Sequence, residues 1–383
     1  MAPRKILVTL ESRATYGYSK NVMLEMRNFP ELEVVTLVTG MHLIPELGNT
    51  INLIRGDGFP ISATVPLVPA DDKSGAWSRA MGSAINGFAT VYEQLEPDII
   101  LLSGDRVETF SCCVAASYMG IPMAHIQAGD KSGHIDDLAR MAMAKLCHLH
   151  FASCDDSAER VRKLGEEEFR IFNVGAPQLD DIVNRDWSAD DVTIGGATHD
   201  LTSPYVLLVQ HPVMVERHDT RKQMETTLDA VAEMGLPAFW IYPNSDMGFQ
   251  DILETIESRG GSDQLTVLKN VDRDDYLKLL ANAAMLVGNS SSGILEAPTF
   301  KVPTVNIGNR QRGRPQAANI INSGYPKQDI AAAMDTALND ASFKRASDSA
   351  INPYGDGKSS RQICAILRDI DLDTRLIDKQ TVY

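Results

Sequence analysis

A cluster of small and polar residues at 288–293, Gly-Asn-Ser-Ser-Ser-Gly, is the part of this sequence best suited to binding an anion. It follows the apolar run 283–287 and precedes 294–297, which predicts the start of a helix. Backbone N–H groups, hydroxyls and the positive end of a helix all favour negative charge, so the loop predicts a diphosphate site. An ordinary turn between a strand and a helix is the alternative. The predicted ligands are Ser290, Ser291, Ser292 and Gly293, with Glu296 about one turn further on as a hydrogen-bond acceptor for a ribose.

Short aliphatic runs alternate with helical patterns on both sides of residues 178–202, where Asp, Thr, Gly and Ser predict a linker or hinge. This alternation indicates parallel sheets with helices on both faces. The predicted strands are 5–10, 33–39, 98–103, 122–126, 148–153, 170–174, 205–209, 238–242, 265–268, 285–287 and 304–307, and the clearest helices are 77–95, 108–119, 221–233, 274–281 and 361–370.

A chain of 383 residues is long for one core, so we expect two doubly wound domains. The first is residues 1–178, with the C-terminal segment 355–383 packing back on it, and the second is 200–354. Such domains bind ligands at the carboxyl ends of their strands, which makes the cleft between them the expected active site. The polar residues that follow predicted strands are Arg13, Asp105, Gln127, Asp130, His211, Asn244 and Arg310.

The overall composition and net charge limit the classes of protein to which this chain can belong. A hydrophobic content of 44% indicates a globular protein, and a net charge of −15 argues against nucleic acid or an anionic membrane as partner. The five scattered cysteines form no metal-binding spacing and suit a reducing compartment. We see neither a signal-peptide pattern at the start nor an apolar run long enough for a membrane span, so we expect a cytoplasmic protein.

The order of the motifs resembles one known family over nearly the whole chain: the hydrolysing UDP-N-acetylglucosamine 2-epimerases, in their sialic-acid and legionaminic-acid branch. The resemblance implies a GT-B-like α/β fold of two Rossmann-type domains. It also implies the conversion of a UDP-2-acetamido sugar and water to the free C2 epimer and UDP. In the sequence itself, no Gly-x-Gly-x-x-Gly follows the first predicted strand and no metal-binding cluster is visible, so we expect neither a bound NAD nor a metal. The motifs that carry the resemblance are residues 12–17, 38–43, 103–108, 124–130, 135–140, 172–177, 210–213, 288–298 and 305–314.

The C2 hydrogen of a pyranose is not acidic until UDP leaves C1 and positive charge develops on the ring. The site must therefore stabilise the leaving diphosphate and then move protons at C2 through positioned carboxyl groups and a 2-acetamidoglycal. Asp136 and Arg140, four residues apart, would share a helix face. The resemblance assigns catalysis to Asp105, Asp136, Arg140, His211, Asp130 and Gln127. It assigns UDP-sugar binding to Arg13, Tyr16, Gly17, His42, Glu108, Asn244, Ser290, Ser291, Ser292, Gly293, Glu296, Arg310 and Arg314.

Two residues depart from the family pattern. Gln127 stands where many relatives carry Glu, and an amide cannot exchange a proton at neutral pH, so Asp130 or Asp136 is expected to replace it. Met141 stands where a His commonly follows the arginine. Both changes fit either a different sugar, such as a 2,4-diacetamido-6-deoxy analogue, or altered chemistry. A GT-B glycosyltransferase and a non-epimerising nucleotide-sugar hydrolase or sensor are the alternatives, and we expect a homodimer or homotetramer.

Overall fold

The computed structural model describes residues 2–44, 50–69, 74–131, 136–243, 248–262, 264–269 and 271–382. The chain divides into two compact units. Unit 1 is Met1–Val183 with Tyr354–Tyr383, and unit 2 is Asn184–Pro353. Asn244 and the side chain of Asp136, both expected in the site, lie outside the described part.

Unit 1 is built on a parallel sheet that has seven strands in the described residues, in the order β3-β2-β1-β4-β5-β6-β7. Its strands are β1 (Arg4–Leu10), β2 (Leu32–Thr39), β3 (Ala63–Val65), β4 (Ile99–Ser103), β5 (Met123–Ile126), β6 (Leu149–Ala152) and β7 (Ile171–Asn173). Its helices are α1 (Arg13–Met26), α2 (Ile51–Gly56), α3 (Ser74–Leu95), α4 (Val107–Tyr118), α5 (Asp136–Leu146), α6 (Asp155–Lys163), α7 (Asp180–Val183), α15 (Ser359–Asp369) and α16 (Thr374–Ile377).

The first strand shows why the sheet of unit 1 is covered on both faces. Successive side chains of a strand point to opposite faces, and here both sets are apolar. Ile6, Val8 and Leu10 join a core that includes residues of α1 and α15, whereas Leu7 joins a second core with residues of α3 and α4. A strand buried on both sides has no polar alternation, which is why Ile6, Leu7 and Val8 follow one another in β1.

Unit 2 repeats this architecture with a sheet of six parallel strands in the described residues, ordered β12-β11-β10-β13-β14-β15. Its strands are β8 (Asp191–Ile194), β9 (Ala197–Asp200), β10 (Val206–Val209), β11 (Ala238–Ile241), β12 (Leu265–Leu268), β13 (Met285–Gly288), β14 (Thr304–Ile307) and β15 (Ile320–Ser323), of which β8 and β9 form a separate hairpin. Its helices are α8 (Thr220–Glu233), α9 (Phe249–Arg259), α10 (Arg273–Ala281), α11 (Ser292–Leu295), α12 (Ala297–Phe300), α13 (Lys327–Asn339) and α14 (Ala341–Asp348).

The segment 178–202, predicted as a linker or hinge, contains regular secondary structure. It contains α7 and the antiparallel pair β8 and β9. Val192 and Ile194 alternate with exposed residues and join a core cluster of unit 2. The segment is polar because only one face of the hairpin is buried, and a single alternating strand of four residues is a weak sequence signal.

The C-terminal segment belongs to unit 1. Helix α15 packs against α1, and the Cys364 thiol lies 3.6 Å from the Val22 carbonyl oxygen. Further on, the Lys379 ammonium contacts the buried Glu166 carboxylate at 2.6 Å, and Arg170 donates to the Leu376 carbonyl at 2.7 Å. Among the helices within the described ranges, none has the length and apolar character needed to cross a bilayer.

Candidate active site

In unit 1 three of the polar residues predicted for catalysis or binding follow neighbouring strands of the sheet. The chain leaves β1 for β2 on one side, and β4 lies on the other side, so the sheet order reverses between β1 and β4. That reversal opens a crevice at the carboxyl ends of the two strands, where ligands bind in open α/β sheets. Arg13 begins α1 directly after β1, Asp105 follows β4, and Gln127 follows β5.

The strongest interaction at this edge is a buried ion pair between Asp105 and Arg140. The Nη2 atom of Arg140 lies 2.6 Å from Oδ2 of Asp105, and the two residues are 4% and 9% exposed, respectively. Burial acts to lower the pKa of Arg140, but the charges of Asp105 and Asp130 outweigh it and the net direction is upward. The guanidinium in turn favours the ionised form of the carboxylate. Arg140 thus pairs with Asp105. The four-residue spacing between Asp136 and Arg140 in the sequence does not predict this pair.

The Gln127–Asp130 loop departs from ordinary backbone geometry twice. Gln127 has φ of 62° and Gly129 has φ of 74°, both in the left-handed region. A Cβ on Gly129 would lie 2.2 Å from the Ser157 carbonyl oxygen, so glycine is required there. The Gln127 carbonyl accepts from Nη1 of Arg140 at 2.7 Å, and the Asp130 carboxylate accepts from the Ser153 hydroxyl. The main chain of Gln127, more than its amide, is therefore tied to the ion pair.

His125 fixes the peptide that precedes Asp105. Its Nε2 atom lies 2.7 Å from the Gly104 carbonyl oxygen, and a carbonyl can only accept, so Nε2 carries the proton. Burial, followed by the charge of Arg140, lowers the pKa of His125 to about 3, so the ring is neutral. Gly104 has φ of 77°, a conformation that this hydrogen bond helps to hold. The link between His125 and the turn before Asp105 is visible only in the folded structure.

A second cluster of charge lies at the same edge. Glu11 and Glu108 are 0% and 2% exposed, and the Nε atom of Arg106 lies 3.7 Å from one carboxylate and 3.4 Å from the other. Burial first, and the charge of Glu108 second, raise the pKa of Glu11 to about 8. The two buried carboxyl groups share one guanidinium, whose single positive charge cannot balance two negative charges. A proton kept on Glu11 removes one of the negative charges. Glu11 is absent from the residues predicted for the site, although its neighbour Arg13 is among them.

Replacing Glu11 with Gln is expected to flatten the pH dependence of folding stability. The folded protein holds a proton up to about pH 8, whereas the unfolded chain releases it near the ordinary value of 4.5. The contribution of Glu11 to stability is therefore fully present below about pH 4.5 and is lost as pH rises through about 8. Urea unfolding at several pH values should show that the free energy of unfolding of the wild type falls, relative to that of Glu11→Gln, between about pH 4.5 and about pH 8. Parallel pH curves for the two proteins would contradict the assignment.

Other residues predicted to bind the sugar nucleotide have different surroundings in unit 1. Tyr16 is buried, and its hydroxyl donates to Asp57 at 2.6 Å. His42 is also buried, with Nδ1 at 2.8 Å from the Thr50 hydroxyl, and burial lowers its pKa to about 4. Gly17 lies within α1, and a Cβ added to it would meet no atom within 4 Å. Arg13, at the start of the same helix, is exposed. The backbone at Gly17 and the Arg13 side chain are therefore the accessible members of this set.

In unit 2 the serine loop is bound directly to the end of β10. The Asn289 side chain accepts from the His211 N–H at 2.7 Å and donates to the His211 carbonyl at 2.8 Å. The Asn289 carbonyl in turn accepts from Nη1 of Arg310 at 3.3 Å and from the Gln311 amide at 2.9 Å. Burial, followed by the charge of Arg310, lowers the pKa of His211 to about 3. His211 is therefore neutral, and it can donate a hydrogen bond but cannot act as an acid at neutral pH.

The loop itself presents groups that an anion needs. The N–H groups of Ser290 and Ser291 have no partner among the residues that the structure describes, whereas the N–H groups from Ser292 to Glu296 are all occupied. Gly288 has φ of 132°, and a Cβ there would lie 2.1 Å from the Val209 carbonyl oxygen. The helix after the loop is broken into α11 and α12 at Glu296. Its dipole is correspondingly short, and the free N–H groups and hydroxyls are the principal donors.

Glu296 and two arginines that follow β14 are the remaining residues of unit 2 predicted to bind the ligand. Oε1 of Glu296 lies 3.0 Å from Nη1 of Arg273, on the neighbouring helix α10. Arg273 was not predicted from the sequence, because nothing in its local pattern distinguishes it from a solvated charge at a helix start. Arg310 and Arg314 both follow β14, and each is partly buried. Within the described ranges, no group of three or more His, Cys, Asp or Glu residues could hold a metal ion.

Two doubly wound parallel sheets, each with polar residues at the carboxyl ends of its strands, define a protein of the GT-B-like class. The family model described as UDP-N-acetylglucosamine 2-epimerase matches residues 24–368. The chain is 34% identical over 380 residues to UDP-N,N′-diacetylbacillosamine 2-epimerase (hydrolyzing) of Legionella pneumophila, covering 99% of this chain and 100% of the relative. This chain belongs to the UDP-N-acetylglucosamine 2-epimerase family.

Other relatives and solved structures agree with this assignment. The GDP/UDP-N,N′-diacetylbacillosamine 2-epimerase (hydrolyzing) of Campylobacter jejuni is 32% identical, over 84% of this chain and 85% of its own. The crystal structure of UDP-GlcNAc 2-epimerase from Neisseria meningitidis bound to UDP-GlcNAc aligns with a TM-score of 0.79 at 16% identity, over 95% of this chain and 99% of that one. A putative UDP-N-acetylglucosamine 2-epimerase from Listeria monocytogenes gives 0.81 at 16% identity, with both chains fully covered. These structures establish the fold.

Proposed function

We propose that this protein is a hydrolysing 2-epimerase that converts a UDP-2,4-diacetamido-6-deoxy sugar and water to the free C2 epimer and UDP. The observation that carries the reaction type is the buried Asp105–Arg140 ion pair after β4. A carboxylate held ionised by a fixed guanidinium can accept a proton without first releasing one. The serine loop of unit 2, with two unoccupied N–H groups, supports binding of the diphosphate.

Chemistry begins with departure of UDP. The C1–O bond breaks, its electron pair goes to the diphosphate, and Ser290, Ser291 and the neutral His211 donate hydrogen bonds to the developing charge. Asp105 then takes the C2 proton, and the electrons of the C–H bond form the C1=C2 bond of a 2-acetamidoglycal. A weak base suffices, because positive charge on the ring has already made that hydrogen acidic.

Water completes the reaction. The C1=C2 electrons take a proton from a second carboxyl group on the opposite face of C2, which inverts that centre and returns positive charge to C1. The water oxygen then bonds to C1 and its proton goes to the second carboxylate, while Asp105 releases to solvent the proton that it took. We assign this second group to Asp130 or Asp136, since the amide of Gln127 cannot exchange a proton at neutral pH. The balance is one water consumed, with the free sugar and UDP released.

The diacetamido substrate is proposed from the relatives. The Legionella pneumophila and Campylobacter jejuni proteins are named for diacetylbacillosamine substrates, and they are 34% and 32% identical to this chain. Relatives named for UDP-N-acetylglucosamine, such as that of Neisseria meningitidis, are 28% identical or less. We extend the proposal to a cytoplasmic homodimer or homotetramer that supplies a sialic- or legionaminic-acid pathway.

Proton NMR in deuterated water tests the reaction and the substrate together. The purified protein should convert UDP-N,N′-diacetylbacillosamine to UDP and a free 2,4-diacetamido-2,4,6-trideoxymannose carrying deuterium at C2. UDP-N-acetylglucosamine, offered at the same concentration, should turn over at least about ten times more slowly, a selectivity of about 1.4 kcal/mol. A free sugar without the C2 label would exclude the elimination route, and UDP release without epimerisation would favour the non-epimerising hydrolase.

A further inference from the structure

The hydroxyl groups of the serine loop are joined in a chain that begins outside the loop. The phenol of Tyr276, on α10, is hydrogen-bonded to Oγ of Ser292. Ser292 Oγ lies 3.0 Å from Ser290 Oγ, and the backbone N–H of Ser292 donates to that same Ser290 oxygen at 3.3 Å. Tyr276 is partly buried and packs with a core cluster of unit 2. Three hydroxyls and one N–H therefore form one connected set.

The connections favour one direction of donation along the three hydroxyls. Burial, followed by the charge of Glu296, raises the pKa of Tyr276, so its phenol keeps its proton and can donate to Ser292. When Tyr276 donates to Ser292, donation from Ser292 to Ser290 continues the same direction, and hydrogen bonds that run one way along a chain strengthen one another. A serine oxygen has two acceptor positions and one proton. In Ser290 both acceptor positions are then taken, by the Ser292 hydroxyl and the Ser292 N–H, and only its proton is left to make a bond.

We propose that Tyr276 is a positioning residue whose hydroxyl orients the Ser292–Ser290 chain so that Ser290 presents its proton, and not a lone pair, to the diphosphate. This inference rests on the proposed function, since it assumes that the serine loop binds a diphosphate. Without the phenol, Ser290 can donate to Ser292, and a lone pair then faces the anion. In the first arrangement Ser290 makes a favourable hydrogen bond to the charged diphosphate. In the second arrangement that bond is lost, and the serine lone pair repels the anion.

Calorimetric titration with UDP and with uridine tests this role. Tyr276→Phe keeps the ring and its packing and removes only the hydroxyl. We expect UDP to bind about 3- to 10-fold more weakly to the variant, as for the loss of one hydrogen bond. Uridine, which has no phosphate, should bind equally well to both proteins.

Tyr205→Phe is the matched control. Tyr205 is a buried tyrosine of the same unit, and its hydroxyl donates to the Leu279 carbonyl at 2.7 Å. This variant should bind UDP like wild type while losing one buried hydrogen bond. Equal UDP affinity for wild type and Tyr276→Phe, or an equal loss for UDP and uridine, would overturn the inference. Wild-type protein that binds no UDP would instead overturn the proposed function on which it rests.

Discussion

Asp105→Asn is expected to lower kcat by about 10²- to 10⁴-fold, the usual contribution of a positioned acid or base. The amide keeps the size and the hydrogen-bonding oxygen of the aspartate, so Arg140 can still donate to it. What is lost is the negative charge that accepts the C2 proton. Steady-state kinetics with UDP-N,N′-diacetylbacillosamine should show the fall in kcat, and UDP binding measured by calorimetry should change little.

The control for this variant is Glu168→Gln. Glu168 also accepts two hydrogen bonds from an arginine of unit 1, Arg162, at 2.7 and 2.9 Å, but the pair is exposed. The Glu168→Gln variant should have the same kcat as the wild type. If Asp105→Asn kept more than about a tenth of wild-type turnover, Asp105 would be a structural partner of Arg140, and the base would have to be sought at Asp130 or Asp136.

Much of the fold could be predicted because its strands are buried on both faces. The segments 99–102 and 206–209 are continuous and aliphatic, and the predicted strands that contain them, 98–103 and 205–209, coincide with β4 and β10 to within one residue. The comparisons confirm the fold class, two doubly wound units of the GT-B-like class. Within the two parallel sheets, the strands that the sequence patterns do not predict are β3 and β15, which are short and lie at the edges of their sheets, where the residues are partly exposed. Edge strands carry a weaker apolar signal than central ones.

The site could be predicted only as a set of residues at strand ends. Parallel strands bring their carboxyl ends to one edge, so the sequence alone is enough to group Asp105 with Gln127. Which side chains pair could not be deduced, because pairing depends on the side-chain directions across the edge. The guanidinium of Arg140 reaches Asp105, a pair that no spacing in the sequence indicates, whereas the Asp136 side chain lies outside the described part. The catalytic and binding roles of these residues remain predictions.

Three residues show what sequence patterns leave out. Glu11 is one charged residue after a strand, His125 is one polar residue within a strand, and Tyr276 is one aromatic residue in a helix. Each has an ordinary local explanation. Their importance arises from contacts with distant parts of the chain: Glu108, Gly104 and Ser292, respectively. Such contacts leave no periodicity or spacing for a sequence analysis to detect.

Arg140→Met is expected to destabilise unit 1 by about 3–5 kcal/mol, as when one partner of a buried ion pair is removed. The variant leaves the Asp105 carboxylate buried without its guanidinium, and it also removes the donor to the Gln127 carbonyl. Catalysis should be lost as well, because both the base and the loop after β5 lose their support. Hydrogen exchange of peptides from β5 and α5, together with urea unfolding, should report the loss of stability.

The double variant Asp105→Asn/Arg140→Met separates the charge effect from the loss of packing. A neutral amide at position 105 no longer needs a cation, so the double variant should be more stable than Arg140→Met alone, with a coupling of about 0.5–3 kcal/mol between the two positions. Arg162→Met, which breaks the exposed pair with Glu168, should cost less than about 1 kcal/mol. Additive effects at 105 and 140 would show that the two charges do not stabilise each other. Asp105 would then need another group to keep it ionised in the buried edge of the sheet, and the proposed proton transfer would lose its physical basis.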